Sequence, residues 1–115
     1  MKKIINLTPH KIGVKIGDVI YDIPPSGTVA RCNTVEEPKG SLAVEINGTN
    51  TVVPLVGVQY STPEVPPPQE GVIYIVSQLV FQNTNRHDVV VPDTGKTCVR
   101  DSNGNIVAVT RFISK

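Results

Sequence analysis

The chain has 115 residues, enough for one folded domain but not for two independent hydrophobic cores. Its formal net charge is +1 and its acids and bases are mixed, which argues against binding a nucleic-acid duplex through many phosphate contacts. No apolar run approaches the roughly 18 residues of a membrane span, and Asn6, Pro9 and His10 interrupt the basic start where a signal-peptide core would lie. We therefore expect one cytoplasmic domain over residues 1–115, not bound to a membrane.

The choice of apolar residues indicates strands. There are 19 Val and 11 Ile but only 4 Leu, and β-branched side chains fit a pleated sheet better than a helix. Ten Pro and nine Gly supply breaks between short strands. The composition predicts a single, mainly β domain, a small antiparallel sandwich or open barrel with about eight to ten strands and at most one short helix. Exposed strand edges invite pairing between subunits, so we expect a homo-oligomer.

Three hairpins are predicted from turn residues between alternating apolar stretches. The first turns at Gly17-Asp18, where glycine in the first central position suits a type II′ turn. The second turns at Asn47-Gly48 and the third at Asn103-Gly104, which supply the positive φ that tight turns require. Pro54 lies in the return strand of the second hairpin, so we expect an edge or a β-bulge there.

The segment between the second and third hairpins contains a stiff connection and the only predicted helix. The proline density of residues 61–71 excludes a helix or a central strand and favours an extended surface crossing. Residues 72–76 then predict a buried strand, and Ser77 is placed to cap a short helix that runs through Asn83. Residues 89–91 predict a second buried strand.

Familiar catalytic and metal motifs are incomplete. The Gly-Lys-Thr at residues 95–97 ends like a phosphate loop, but Val90 stands where that motif needs glycine. His87 has only His10 as a second histidine, so a multi-histidine metal cluster cannot form. Cys32 and Cys98 lack zinc-site spacing and are expected to be reduced and partly buried.

No spacing selects a nucleophile and a base. Ser77 or Cys98 is available as a nucleophile with His10 or His87 as its base, but most Ser and Cys residues are structural. We therefore predict a protein that is not an enzyme and uses no cofactor or metal.

The arginines are the most selective charged residues. There are four, against seven lysines, and each lies in or beside an apolar or turn-forming stretch. A guanidinium is a planar fork suited to carboxylate or phosphate. Two interpretations remain open: the arginines pair with neighbouring aspartates and fix loops, or two or three of them converge on an anionic ligand.

Five blocks in order resemble a family of short phage, prophage and bacterial proteins whose activity is not established. The blocks are NLTPH (6–10), PPSGTVAR (24–31), YIVS (74–77), RHDVVVPD (86–93) and VRDSNGNIV (99–107). In that family the arginine block often continues with two acids, whereas here His87 precedes Asp88, which puts any contribution of the second acid in doubt.

By context and size, such proteins are similar to the sponges with which phages sequester nucleotide signals of bacterial immunity, such as cyclic ADP-ribose isomers of Thoeris systems or cyclic dinucleotides. The resemblance implies an anti-defence protein in the cytoplasm of the bacterial host that binds a small anionic nucleotide-type ligand without turning it over. Arginines would bind the diphosphate, a carboxylate or amide the ribose, and an aromatic ring the adenine. The candidate ligand-binding residues are Arg31, Phe81, Asn83, Arg86, His87, Asp88, Arg100, Asp101 and Arg111.

Two alternatives stand beside this expectation. One is a structural or accessory phage protein that assembles through its β edges. The other is an enzyme that cleaves such a signal, with His87 or His10 as the base near neutral pH.

Overall fold

A computed structural model describes residues 1–115 in full. Its ten strands are β1 (Lys3–Asn6), β2 (Ile12–Ile16), β3 (Val19–Ile23), β4 (Thr34–Ile46), β5 (Thr49–Tyr60), β6 (Val72–Ile75), β7 (Val89–Pro92), β8 (Val99–Arg100), β9 (Ile106–Ala108) and β10 (Phe112–Ser114), and its one helix is α1 (Gln78–Gln82). The prediction of a mainly β protein with one short helix is confirmed.

The largest sheet has four strands in the order β1-β6-β7-β10 and does not close into a barrel. β1 is parallel to β6 and β6 to β7, while β10 is antiparallel to β7. Antiparallel pairing, expected from the sequence, thus holds for β10 and for the hairpins but not for β1, β6 and β7. The connection between β6 and β7 explains part of the difference: residues 76–88 contain α1, and a crossover of about a dozen residues returns the chain to the same end of a sheet.

The hydrophobic core lies between α1 and this sheet. It consists of Leu7, Ala30, Val72, Tyr74, Val76, Val80, Phe81, Val89 and Val91. The Ser77 hydroxyl accepts a hydrogen bond from the backbone N–H of Val80 at 3.3 Å, so the predicted helix cap is confirmed. Capping fixes where α1 begins, and its two buried side chains, Val80 and Phe81, then face the sheet.

The β2–β3 hairpin packs closely on β9. Gly17 has a φ of +62° and Asp18 has no positive φ, as the predicted type II′ turn requires. The backbone N–H of Val109 donates to the carbonyl of Gly13 at 2.8 Å. A Cβ on Gly13 would lie 2.9 Å from the carbonyl oxygen of Val107, so this approach requires glycine.

β4 and β5 form one long hairpin, residues 34–60, which we call the arm. Its turn residues Asn47 and Gly48 have φ of +52° and +82°, the pattern of a type I′ turn, so the predicted positive φ is confirmed. β4 has 13 residues and β5 has 12, about twice the usual strand length.

A β-bulge interrupts the arm. The pairing register shifts between Pro38 and Ser41, and Gly40, inside the bulge, has a φ of +87°. Pro54 pairs with Ser41 at the edge of this irregularity, which confirms the prediction made for it.

The arm makes the molecule elongated. Its principal extents are 58 × 39 × 24 Å, and the radius of gyration is 18.6 Å. A compact chain of about 100 residues has a radius of gyration near 13 Å. The arm therefore extends away from the body, which we define as the rest of the chain.

Candidate functional site

Arg86 and Asp88 form a bidentate ion pair where β7 begins. The Arg86 Nε donates to Asp88 Oδ1 at 2.9 Å, and Nη2 donates to Oδ2 at 2.6 Å. Nη1 donates to the carbonyls of Val65 and Pro66 at 3.2 and 2.6 Å. The pair thereby ties the start of β7 to the proline-rich connection, residues 61–71, which contains no strand, as predicted.

The environment of this pair keeps both groups charged. Only 23% of the Arg86 side chain and 20% of the Asp88 side chain are exposed. The hydrogen bonds from Arg86 hold the pKa of Asp88 below its usual range, and those same bonds raise the pKa of Arg86. The guanidinium also lies 5.7 Å from the centroid of the Tyr74 ring. For Arg86 the structure shows the first of the two open interpretations, pairing with a neighbouring aspartate, and its ligand role stays a prediction.

Arg111 belongs to a second, separate ion pair. Its Nε donates to Asp93 Oδ2 at 2.6 Å, and the backbone N–H of Gly95 donates to Asp93 Oδ1 at 2.9 Å. The bond from Gly95, followed by the one from Arg111, lowers the pKa of Asp93. This pair fixes the loop that follows β7 against the chain entering β10.

Arg100 and Asp101 stabilise the turn of the third hairpin. Arg100 Nη1 donates to the carbonyl of Gly104 at 2.8 Å. Asp101 Oδ1 accepts backbone N–H bonds from Asn103 and Asn105 at 2.9 and 3.0 Å. Both side chains therefore act within their own turn, as an Asx-type arrangement does.

The remaining candidates near α1 are divided between core and surface. Phe81 is 8% exposed in the core, and the Lys115 Nζ lies 4.6 Å from its ring centroid. The Asn83 amide donates to the carbonyl of Leu79 at 2.9 Å and closes α1. His87 is exposed. The nine candidates thus do not surround one pocket.

Arg31 differs from the other arginines because its exposed side chain makes no hydrogen bond or ion pair. It lines a groove of about 620 Å³ between α1 and the arm, which we call the root groove. The groove is lined by Pro9, Val29, Ala30, Arg31, Cys32, Asn33, Thr34, Ser77, Leu79 and Val80. Thr34 is the first residue of β4, so the groove lies where the arm leaves the body.

Sequence reasoning did not select Asn6, which is 1% exposed. Its Nδ2 donates to the carbonyls of His10 and Ile23 at 2.8 and 3.2 Å. Its Oδ1 accepts bonds from the backbone N–H and the hydroxyl of Thr8 at 2.9 and 2.7 Å. The Asn-Leu-Thr spacing, typical of an Asx turn, could have indicated that the Asn6 side chain bonds to the nearby backbone.

The apolar surface of the arm was also missed. Paired residues on antiparallel strands share a face, and successive residues alternate between faces. Towards the turn, one face of the arm carries Leu42, Val44, Ile46, Val53 and Leu55, which we call the tip face. Nearer the body, the opposite face carries Pro38, Val56, Val58 and Tyr60, which we call the base face. Glu36, paired with Val58, and Thr34, paired with Tyr60, lie on the same side. The sequence did indicate this surface, because apolar residues occupy both odd and even positions of β5 and so lie on both of its faces.

All of these residues are exposed except Val44, which is partly covered. Ile46 is 50% exposed, and Val56 is 58% exposed. The accessible surface of the whole chain is 8175 Å². A compact monomer of this length exposes about 6,100 Å², so the chain exposes about 2,000 Å² in excess.

Comparisons with protein-family models, with curated proteins and with solved structures find no match to this chain. Side chains of His, Cys, Asp and Glu do not gather into groups of three or more that would hold a metal ion. No helix in the structure has the length and apolar character needed to cross a membrane. The resemblance to phage and prophage proteins therefore stays a prediction.

Proposed function

We propose that this protein is a self-assembling β subunit, a structural or accessory protein whose arm packs against other copies of the same chain. The observation that carries the proposal is the arm itself, whose tip face and base face are apolar and uncovered. An isolated two-stranded hairpin is at best marginally stable in water. A hairpin of this length therefore needs further burial to remain ordered.

The uncovered area is of the right size for a stable assembly. Permanent interfaces bury from about 2,000 Å² in total over both partners, and the excess here is about 2,000 Å² for each chain. The edges of β4 and β5 are also unpaired outside their own hairpin. A net charge of +1 offers little electrostatic repulsion between copies. A second copy of the chain is thus a suitable partner for the arm.

Sedimentation velocity of the full chain over a wide range of concentration tests this proposal. We expect an oligomer that dissociates on dilution, and a monomer at every concentration would refute the proposal. Val58→Lys, at a base-face residue 42% exposed, should weaken the assembly. Val19→Lys is the matched control, because Val19 is 51% exposed but lies on the β2–β3 hairpin.

A second candidate function is sequestration of a small anionic nucleotide-type ligand, as expected from the resemblance. The observation that favours it is the free side chain of Arg31 in the root groove, whose size is within the roughly 300–1,000 Å³ of small-molecule sites. Titration calorimetry against cyclic nucleotides and ADP-ribose derivatives tests it: binding that Arg31→Ala abolishes would support it, and no heat with any of them would refute it. Recovering the ligand intact after denaturation would separate a sponge from a signal-cleaving enzyme.

A further inference from the structure

The bulge in β4 decides where the apolar residues of the arm point. Before the bulge, Pro38 shares a face with Val56. After it, Leu42 shares a face with Val53, which lies on the opposite side because β5 alternates without interruption. One extra residue in a strand moves every later side chain to the other face. The tip face and the base face therefore lie on opposite faces of the two-stranded ribbon, which also twists along its length.

One flat partner surface cannot cover two opposite faces. The sides behind them are more polar: Glu45 and Asn50 lie behind the tip face, and Glu37 and Gln59 lie behind the base face, although Val52 and Val35 interrupt this pattern. An arm whose two apolar faces are both buried must contact two neighbours. A head-to-tail arrangement meets this condition, whereas a two-fold dimer meets it only if the two arms wind around each other.

The root groove offers a place for the tip of a neighbouring arm. It is concave, and apolar side chains of Val29, Leu79 and Val80 form part of its wall. It begins beside the pair Thr34 and Tyr60, on the same side of the arm as the base face. The tip is the convex counterpart, with aliphatic side chains on one side.

The unpaired charges at these two places are opposite. Arg31 in the root groove makes no ion pair, and Glu45, next to the Asn47 turn, is exposed and makes none either. Within one chain, other arginines do find acidic partners: Arg86 bonds to Asp88, and Arg111 bonds to Asp93. Glu64 lies opposite Arg31 in an isolated antiparallel bridge but forms no ion pair with it, so the Arg31 guanidinium keeps its donors free for an acid of another copy.

We propose that the arm tip of each copy enters the concave root groove of the next copy, with the tip face against one wall and Glu45, on the other side of the ribbon, bonded to Arg31. The assembly is then heterologous, a closed ring or an open filament of at least three copies. This inference rests on the proposed function, because it specifies how the arm packs.

Charge reversal tests the inference. Arg31→Glu and Glu45→Arg each place like charges in the contact and should weaken association at least about tenfold. The double variant in one chain should recover the assembly, and so should an equimolar mixture of the two single variants. Lys96→Glu and Glu70→Arg are matched controls, because both residues are exposed and lie outside the arm and the root groove. Circular dichroism would establish that each variant is folded.

The outcomes separate the two proposals. A monomeric wild-type chain would refute self-assembly and, with it, the head-to-tail contact. If the wild-type chain forms an oligomer but neither single charge reversal weakens association, the head-to-tail contact is refuted and self-assembly stands. The same holds if the wild-type chain forms only two-fold dimers. Loss in each single variant with recovery in the mixture would support the contact, because only complementary charges on different chains give that pattern.

Discussion

Replacing Arg86 with methionine should destabilise the body of the protein. The substitution removes two hydrogen bonds to Asp88 and two to the carbonyls of Val65 and Pro66. It leaves the Asp88 carboxylate largely covered and without its cation. The ring of Tyr74 also loses the guanidinium that lies over it.

The burial of the Arg86–Asp88 pair determines how much stability the substitution removes. Breaking a buried pair by removing one partner costs roughly 3–5 kcal/mol, whereas an exposed pair contributes about 1 kcal/mol or less. Because only 23% of the Arg86 side chain and 20% of the Asp88 side chain are exposed, the value should lie towards the buried limit. We expect Arg86→Met to lower the free energy of unfolding by about 3 kcal/mol.

Urea denaturation followed by circular dichroism measures this loss. Arg86→Lys keeps the positive charge but not the planar fork, so it should recover only part of the stability. The double variant Arg86→Met with Asp88→Leu removes both charges and should be more stable than Arg86→Met alone. A loss below about 0.5 kcal/mol in Arg86→Met, the range of ordinary surface substitutions, would refute the reasoning and leave the guanidinium available for a ligand. A large loss would mean that replacing Arg86 cannot serve as a test of ligand binding, because the variant would also be less stable.

Three further predictions concern pH and the packing of buried positions. The pKa of Asp88 is lowered from 3.8 in the folded chain, so its stabilising effect is present above pH 3.8 and is lost as the pH falls through the folded pKa. When Arg86 is replaced, the free energy of unfolding should therefore depend less on pH below pH 4, which acid titration of unfolding measures. Gly13→Ala should cost about 1–3 kcal/mol of stability because the added Cβ would meet a backbone carbonyl. Gly57→Ala should change stability by less than about 0.5 kcal/mol because the added Cβ would meet only a flexible lysine side chain. Equal losses of the two variants in thermal denaturation would contradict this. Asn6→Ala removes four hydrogen bonds at a buried position and should cost about 2–4 kcal/mol in the same assay.

Local chemistry made several parts of the fold predictable. The turns at Gly17-Asp18 and Asn47-Gly48 follow from the backbone angles that glycine and asparagine tolerate. The start of α1 follows from the Ser77 hydroxyl, which bonds to a backbone N–H three residues later. The β class follows from the abundance of valine and isoleucine. Each of these features depends on neighbouring residues or on composition.

Strand direction, the partners of the arginines and the surface of the arm depended on tertiary structure. The donors of Arg86 reach a carbonyl at Val65, 21 residues earlier in the chain, and no local pattern specifies that contact. The sequence of β5 contains apolar residues at both parities, but only the register across the bulge between Pro38 and Ser41 shows which of them share a face. The sequence by itself therefore determined the class of fold and where its turns lie, because these follow from local backbone preferences. Only the tertiary structure decided which charges are paired and which apolar faces remain open, because both depend on contacts between residues far apart in the chain.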